Sequence, residues 1–129
     1  MLLDDIADLL TTGAISTTIY KGYMPEQPDE AFSVIETGGL GAVHAMSTGP
    51  GNALLEVPGF QLIRRSSSYQ TARTGMQNAF DLLDGLSERT INSTRYSYVI
   101  AQQSPFSLGR DESQRSRIVL NFLAYKTLS

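Results

Sequence analysis

The sequence has 129 residues but no cysteine, a single histidine and only two lysines. Without cysteine, the chain has neither disulfides nor a thiolate that could bind a metal or act as a nucleophile. It also lacks any apolar run near the roughly 20 residues that span a membrane as a helix. Its first ten residues hold three aspartates and no basic residue, which is unlike a secretory signal. We therefore expect no membrane segment and no disulfide framework.

Patterns typical of catalysis are equally scarce. No acidic residue lies within seven positions of His44, and no Gly-x-Ser-x-Gly elbow presents a serine for a triad. The glycines of residues 38–41 lack the Gly-Lys-Ser/Thr ending of a phosphate-binding loop. Asp81 and Asp84 lie beside the apolar stripe of a predicted helix, where they look solvated rather than buried for acid–base chemistry. The sequence predicts no enzyme, no metal site and no cofactor site, and His44 is expected to be a loop or interface residue.

The composition, 41% hydrophobic and 18% charged, is typical of a globular protein, and we expect one domain over residues 1–129. The net charge of −3 is unevenly spread. Residues 1–36 hold seven acids against one lysine, a balance of −6, whereas residues 61–129 hold nine basic residues against five acids, a balance of +4. Either the acidic half of one copy meets the basic half of the next, or both halves are solvated faces without a partner.

Two segments, residues 2–12 and 68–84, have the apolar spacing of amphipathic helices. Alternation and β-branched or aromatic residues predict the strands. These strands are expected at residues 15–23, 31–36, 60–65, 90–102 and 116–125. This order predicts an α+β fold, with both helices on one face of a mostly antiparallel sheet of about five strands.

Two irregular segments interrupt this pattern. Residues 37–58 contain five glycines and almost no charge, so we expect a long, mobile Gly-rich loop. Residues 103–115 form an arm within an extended terminal hairpin. Before that arm, Tyr96, Tyr98 and Ile100 alternate along one side of a strand, which favours packing on the sheet over stacking on nucleic acid bases.

Three segments of the chain carry motifs of a known family. They are MPEQPDEAFSVIETGG (24–39), PGFQLIRRSSSYQTARTGMQNAFDLLDGL (58–86) and QQSPFSLGRDESQRSRIVLNFLAY (102–125). The motifs are a proline-bracketed turn before an acidic strand ending in Gly-Gly, a Gln-x-x-x-Arg strand before a helix, and a Pro-x-x-Leu-Gly-Arg-Asp-Glu arm. Together they resemble the minor capsid and tail terminator proteins of long-tailed bacteriophages. Residues 40–57 match nothing in this pattern.

The resemblance implies a structural virion protein of the tail or neck, assembled in the host cytoplasm. Such proteins form rings, usually of six copies, that cap the tail tube, stop its growth and offer a docking surface to the head. The implied partners are other copies of the chain, the tail tube protein and head-completion or connector proteins, with DNA only passing through the lumen and no membrane. Two alternatives stay open: a head-completion ring protein, or a small monomeric ligand-binding domain with residues 37–58 as its lid.

A ring needs one patch of each subunit to meet a different patch of the next. We expect the arm at residues 103–115 to reach a neighbouring copy, where its arginines would pair with carboxylates of the acidic amino-terminal third. The candidate subunit-interface residues are Glu26, Asp29, Glu30, Arg110, Asp111, Arg115 and Arg117.

Overall fold

The computed structural model describes residues 2–13, 15, 17–44 and 53–127. Two helices and seven strands account for most of this part of the chain. In order they are α1 (Leu2–Thr12), β1 (Ile19–Lys21), β2 (Ala31–His44), β3 (Ala53–Ser66), α2 (Tyr69–Leu83), β4 (Leu86–Ile91), β5 (Thr94–Ala101), β6 (Phe106–Arg110) and β7 (Ser116–Thr127).

The strands form one curled, mixed sheet with the order β1-β2-β3-β7-β5-β4. β1 pairs parallel with β2, and the other pairings are antiparallel. β6 also pairs with β7, so β5 and β6 lie end to end along the same edge of that strand. The prediction of a mostly antiparallel sheet of about five strands is therefore wrong. The sheet gains two strands beyond the prediction: a turn separates β4 from β5 where one long strand was expected, and β6 forms within the expected arm.

One such turn lies at Asn92 and Ser93, which separate β4 from β5. Both residues have positive φ, 49° and 68°. This conformation suits the tight turn of a two-residue hairpin, whose twist matches that of the flanking strands. Because serine rarely adopts positive φ, nothing in the sequence indicated this turn, and one long strand was predicted over residues 90–102.

Both helices bury their apolar stripes against the same face of the sheet. That face consists of the even-numbered side chains of β2, β3 and β7. At its centre the rings of Phe60 and Phe122 stack with their centroids 5.0 Å apart. The core cluster contains Leu2, Leu3, Ile6, Leu10, Phe32, Val34, Phe60, Leu62, Ala72, Met76, Ala79, Leu83, Tyr96, Val99, Ile118, Leu120, Phe122 and Ala124. Burial of this apolar surface is the main force that holds the helices to the sheet.

The expected Gly-rich loop at residues 37–58 is largely β-structure. β2 and β3 continue as a paired hairpin through Thr37↔Gly59, Leu40↔Val57 and Val43↔Leu55, with register shifts between these pairs. Residues 45–52 lie outside the described residues. A Cβ on Gly39 would stand 1.9 Å from the Val57 carbonyl oxygen, so this glycine lets two backbones approach closely. The prediction of a Gly-rich loop is therefore wrong for the paired residues of this segment.

The expected arm at residues 103–115 is also folded back on its own subunit. β6 pairs with the first residues of β7, from Phe106↔Val119 to Arg110↔Ser116. Only a short turn, residues 111–115, joins the two strands. Arg73 of α2 donates to the Pro105 carbonyl at 2.7 Å, which fixes the start of β6 to the helix layer.

A β-bulge separates the tyrosines that alternation placed on one side of a strand. The β5–β7 register shifts by one residue between Tyr96 and Tyr98. A shift of one residue moves a side chain to the other face of the sheet. Tyr96 is buried and donates to Asp5 of α1 at 2.5 Å, whereas Tyr98 is exposed and contacts the ring of Tyr125. The prediction of a shared side is therefore wrong for Tyr96, whereas Tyr98 and Ile100 do lie on one side.

Candidate functional site

The candidate interface residues converge at one end of the sheet. There the turn of residues 24–30 lies against the ends of β3 and the β6–β7 turn. Arg115 is at the centre, with its side chain only 7% exposed. Its Nε donates to Asp111 Oδ2 at 2.8 Å, and one terminal nitrogen donates to the Glu26 carbonyl and lies 3.4 Å from Asp29 Oδ1. The pairing expected between subunits is thus made within one subunit.

Arg65, near the end of β3, holds the same turn from the other side. Its side chain donates to the carbonyl oxygens of Pro28 at 2.6 Å and Asp29 at 3.4 Å. Burial is the main cause of a lowered pKa at Arg65, and the positive charge of Arg115 lowers it further. Two buried guanidiniums therefore bind one turn mainly through its backbone carbonyls. In the sequence, the only sign of this site is a pair of consecutive arginines at the end of an apolar strand. The groups that these arginines bind cannot be inferred from the sequence.

Glu30 also finds its partners within the subunit. Its carboxylate accepts from the Ser66 hydroxyl at 2.7 Å and the Ser67 amide at 3.0 Å, and it lies 3.6 Å from the buried guanidinium of Arg64. Burial alone would raise the pKa of Glu30, but these hydrogen bonds and the Arg64 charge lower it below its ordinary value. Glu30 links the start of β2 to the segment between β3 and α2.

Asp111 shapes the turn between β6 and β7. Its Oδ1 accepts from the amides of Ser113 at 3.0 Å and Arg115 at 2.9 Å. The Arg115 amide is the main cause of a lowered pKa at Asp111, and the Arg115 guanidinium and the Ser113 amide add to it against the effect of burial. An aspartate that accepts from amides two and four positions later is typical of a tight turn. Asp111 therefore shapes the turn and orients Arg115.

The lowered pKa values of Glu30 and Asp111 predict acid sensitivity. Their unfolded values are near 4.5 and 3.8. A carboxylate with a depressed folded-state pKa stabilises the fold above its unfolded pKa, and this contribution is lost as the pH falls through the folded value. We expect urea midpoints to fall below about pH 4.5, and to fall less steeply in a variant with both Glu30→Gln and Asp111→Asn. Equal slopes for variant and wild type between pH 5 and pH 2.5 would contradict this assignment.

Arg110 and Arg117 differ from the other members of the set. Arg110 is exposed at the end of β6, opposite Ser116. Arg117 lies directly across the ladder from Arg65, a juxtaposition of like charges. Its Nε is buried and has no hydrogen-bond partner among the described residues. These two arginines are the candidates in the described structure that remain available to an acidic neighbour.

Sequence reasoning missed the exposed apolar side chains near these charges. Leu108 and Phe106 on β6 are 49% and 38% exposed, and Leu40 on β2 is 59% exposed. All five residues of β6 are exposed. A short strand of alternating apolar and small residues was present in the sequence, but it lay in a segment read as a loop.

The two carboxylates at the end of α2 that were considered for acid–base chemistry both bind neighbouring groups of the fold. Asp84 accepts from the Ala101 amide at 2.9 Å and Asp81 accepts from Gln77 at 3.1 Å, so both carboxylates have local structural partners. Within the residues described, no three side chains of His, Cys, Asp or Glu converge to hold a metal. A cleft of about 470 Å³ beside α2 has a described lining of mostly hydroxyl and amide groups with Arg64. No described helix is long and apolar enough to cross a membrane.

Comparisons with known proteins identify the fold and the family. Among solved structures, a chain from "Virion of native gene transfer agent (GTA) particle" has a TM-score of 0.70 at 18% identity, over 98% of this chain and 95% of that chain. At this identity the likeness shows a shared fold. Among curated proteins, no sequence matches significantly. A family model described as bacteriophage tail terminator protein matches residues 6–127, nearly the whole chain. The chain therefore belongs to the bacteriophage tail terminator family.

Proposed function

We propose that this protein is a virion component that assembles into a hexameric ring on the end of the tail tube, stops tube growth and joins the tail to the head. The observation that carries the proposal is the family match over residues 6–127. The proposed partners are other copies of the chain, the tail tube protein and the head-completion or connector proteins. The role is structural, and it requires no catalytic residue, metal or cofactor.

The shape of the subunit supports a ring. A closed ring is built from heterologous contacts, in which one patch meets a different patch on the next copy. The curled sheet has unlike open edges on its two sides, among them the part of β2 that β1 does not cover on one side and β6 on the other. Exposed leucine and phenylalanine side chains at these edges are the kind of surface that association covers.

The charge distribution supports passage of DNA without specific binding. A duplex-binding surface concentrates lysine and arginine, because phosphate contacts dominate affinity. This chain has a sequence pI near 5.0, and several of its arginines are internal: Arg64, Arg65 and Arg115 are all buried. An acidic or neutral lumen would not retard DNA that moves through it.

The alternative of a monomeric ligand-binding domain loses its main support. That alternative used residues 37–58 as a lid, but residues 37–44 and 53–58 are paired strands. The family match also favours a terminator over a head-completion protein.

Tube growth tests the proposed function directly. Purified tail tube protein should polymerise to a shorter length when this protein is added, and electron micrographs should show a ring at one end of each tube. The expected length falls as the ratio of terminator to tube protein rises. An unchanged length distribution, with tube ends that remain free of added protein, would overturn the capping proposal.

A further inference from the structure

Among the open strand edges of the described structure, β6 and the outer side of β2 lie on opposite sides of the sheet. Among the described residues, β6 pairs only with β7, which leaves its second edge without a strand. β1 covers only Phe32–Val34 of β2, so the outer edge of β2 is open from Ile35 onward in the described structure. Open edges present unpaired amide and carbonyl groups and are natural sites for pairing with another chain.

The two edges run in directions that a ring can join. β6 is antiparallel to β7, β7 to β3 and β3 to β2, so β6 and β2 run in opposite directions. A rotation about the axis of a barrel keeps the up or down direction of each tilted strand. It therefore places β6 of one copy antiparallel to β2 of the next.

We propose that β6 of one subunit adds to the outer edge of β2 in a second copy of this chain, as an antiparallel pair between subunits. The register places Arg110 opposite Glu36, Leu108 opposite Gly38 and Phe106 opposite Leu40. This inference rests on the proposed ring and names the contact that closes it.

The side chains on the two edges are complementary in this register. Arg110 and Glu36 carry opposite charges and are both exposed in the single subunit. The exposed ring of Phe106 and the exposed side chain of Leu40 would cover each other. Gly38, which has no side chain, leaves room for Leu108. A Cβ added at Gly38 would meet no atom within 4 Å in the described subunit. Opposite charges and apolar contacts across neighbouring strands each stabilise a sheet.

Matching bulges keep these pairs on common faces. In β2 the register shifts between Thr37 and Leu40, so Glu36 lies on the helix-covered face and Leu40 on the other. In β6 the register shifts between Ser107 and Gly109, so Arg110 and Phe106 also lie on opposite faces, in the same order. Each bulge adds one residue at the same level, and the proposed register continues across both.

The offset between the two edges agrees with a closed barrel. Phe106 is level with Val119 of β7, whereas the partner position Leu40 is level, through Val57, with Tyr125. Six residues amount to a stagger of roughly 20 Å, and four strand spacings to roughly 19 Å. Together they correspond to a strand tilt of roughly 45°, close to the range of about 35–45° in closed barrels.

The nearest competing partner for β6 is the edge of β1, which also runs antiparallel to it. That pairing would bring Arg110 close to a strand whose exposed charged residue is Lys21. Like charges on adjacent strands oppose pairing, so β2 is the favoured neighbour.

Cysteine cross-linking tests the register, because the native chain has no cysteine. The variant carrying Leu40→Cys and Phe106→Cys places two thiols at opposite positions of the proposed pair, within the Cα separation of about 4.4–6.8 Å that a disulfide needs. Inside one subunit, β3 and β7 separate these positions by roughly 14 Å or more, so an internal disulfide is excluded. After mild oxidation we expect covalent ladders up to the ring copy number on non-reducing gels.

Two controls separate this contact from assembly in general. The variant with Leu40→Cys and Ser107→Cys shifts the register by one residue and should cross-link at least tenfold less. The variant with Arg110→Glu should need about tenfold more protein to assemble, and adding Glu36→Arg should restore assembly. In a contradicting result, rings form at the normal mass while the pair at positions 40 and 106 cross-links no better than the control pair at positions 40 and 107. That result would overturn the strand pairing but not the proposed ring. A wild-type chain that stays monomeric at every concentration would overturn both.

Discussion

Gly39→Ala is expected to lower the free energy of unfolding by about 3 kcal/mol, the upper end of the usual cost of overpacking. The added Cβ would stand 1.9 Å from the Val57 carbonyl oxygen and 2.8 Å from the Gly59 amide nitrogen. Both obstacles are backbone atoms of β3, so no side chain can rotate away. The hairpin would have to separate at its bulge, next to the buried ring of Phe60. Urea denaturation followed by circular dichroism measures the loss.

Two neighbouring glycines provide the matched control. Gly38 and Gly41 lie in the same strand and have nothing within 4 Å of an added Cβ. Since alanine is less flexible than glycine in the unfolded chain, Gly38→Ala and Gly41→Ala should leave stability unchanged or raise it by up to about 1 kcal/mol. Equal effects at Gly38 and Gly39 would show that the close approach of β2 and β3 is wrong.

Arg115→Glu is expected to destabilise the fold by about 2–3 kcal/mol, because it breaks the hydrogen-bond network of a buried side chain. The substitution removes the donor to Asp111 and to the Glu26 carbonyl, and it brings a second negative charge close to Asp111 and Asp29. The turn of residues 24–30 would lose one of its two guanidinium anchors. A much lower urea midpoint for the isolated subunit is the expected observation.

The same substitution five positions earlier should behave differently. Arg110 is exposed, and a surface charge away from buried partners usually changes stability by less than about 0.5 kcal/mol. Arg110→Glu should therefore fold like the wild type and fail only in assembly. If Arg115→Glu also folded normally and lost only assembly, Arg115 would be a contact between subunits and its described internal bonds would be wrong.

The helices were predictable because their signals are local. α1 and α2 each repeat apolar residues with the period of a helix. The sheet was less predictable, since its bulges depend on the partner strand. Nothing local to Gly39 indicates that Val57, far along the chain, will approach it, so glycine suggested a flexible loop.

The candidate site was predictable in its chemistry but not in its connectivity. Charge spacing indicated that Arg115 would pair with the acidic turn that contains Asp29, and the two groups do meet. Sequence cannot tell a contact within a subunit from one between subunits, because both use the same opposite charges. The strand β6 and its apolar residues were not predicted for a different reason. A strand of five residues beside a charged turn has too few alternations to be distinguished from a loop.

The mass of the assembled protein in solution tests the central claim most directly. Native mass spectrometry of the purified wild-type chain should give a dominant species at six times the 14.1 kDa subunit mass, and electron micrographs of the same sample should show closed rings. Arg110→Glu should shift that species towards the single subunit while the circular dichroism spectrum stays unchanged. A wild-type protein found only at 14.1 kDa, at concentrations where tail tube protein polymerises, would contradict the account.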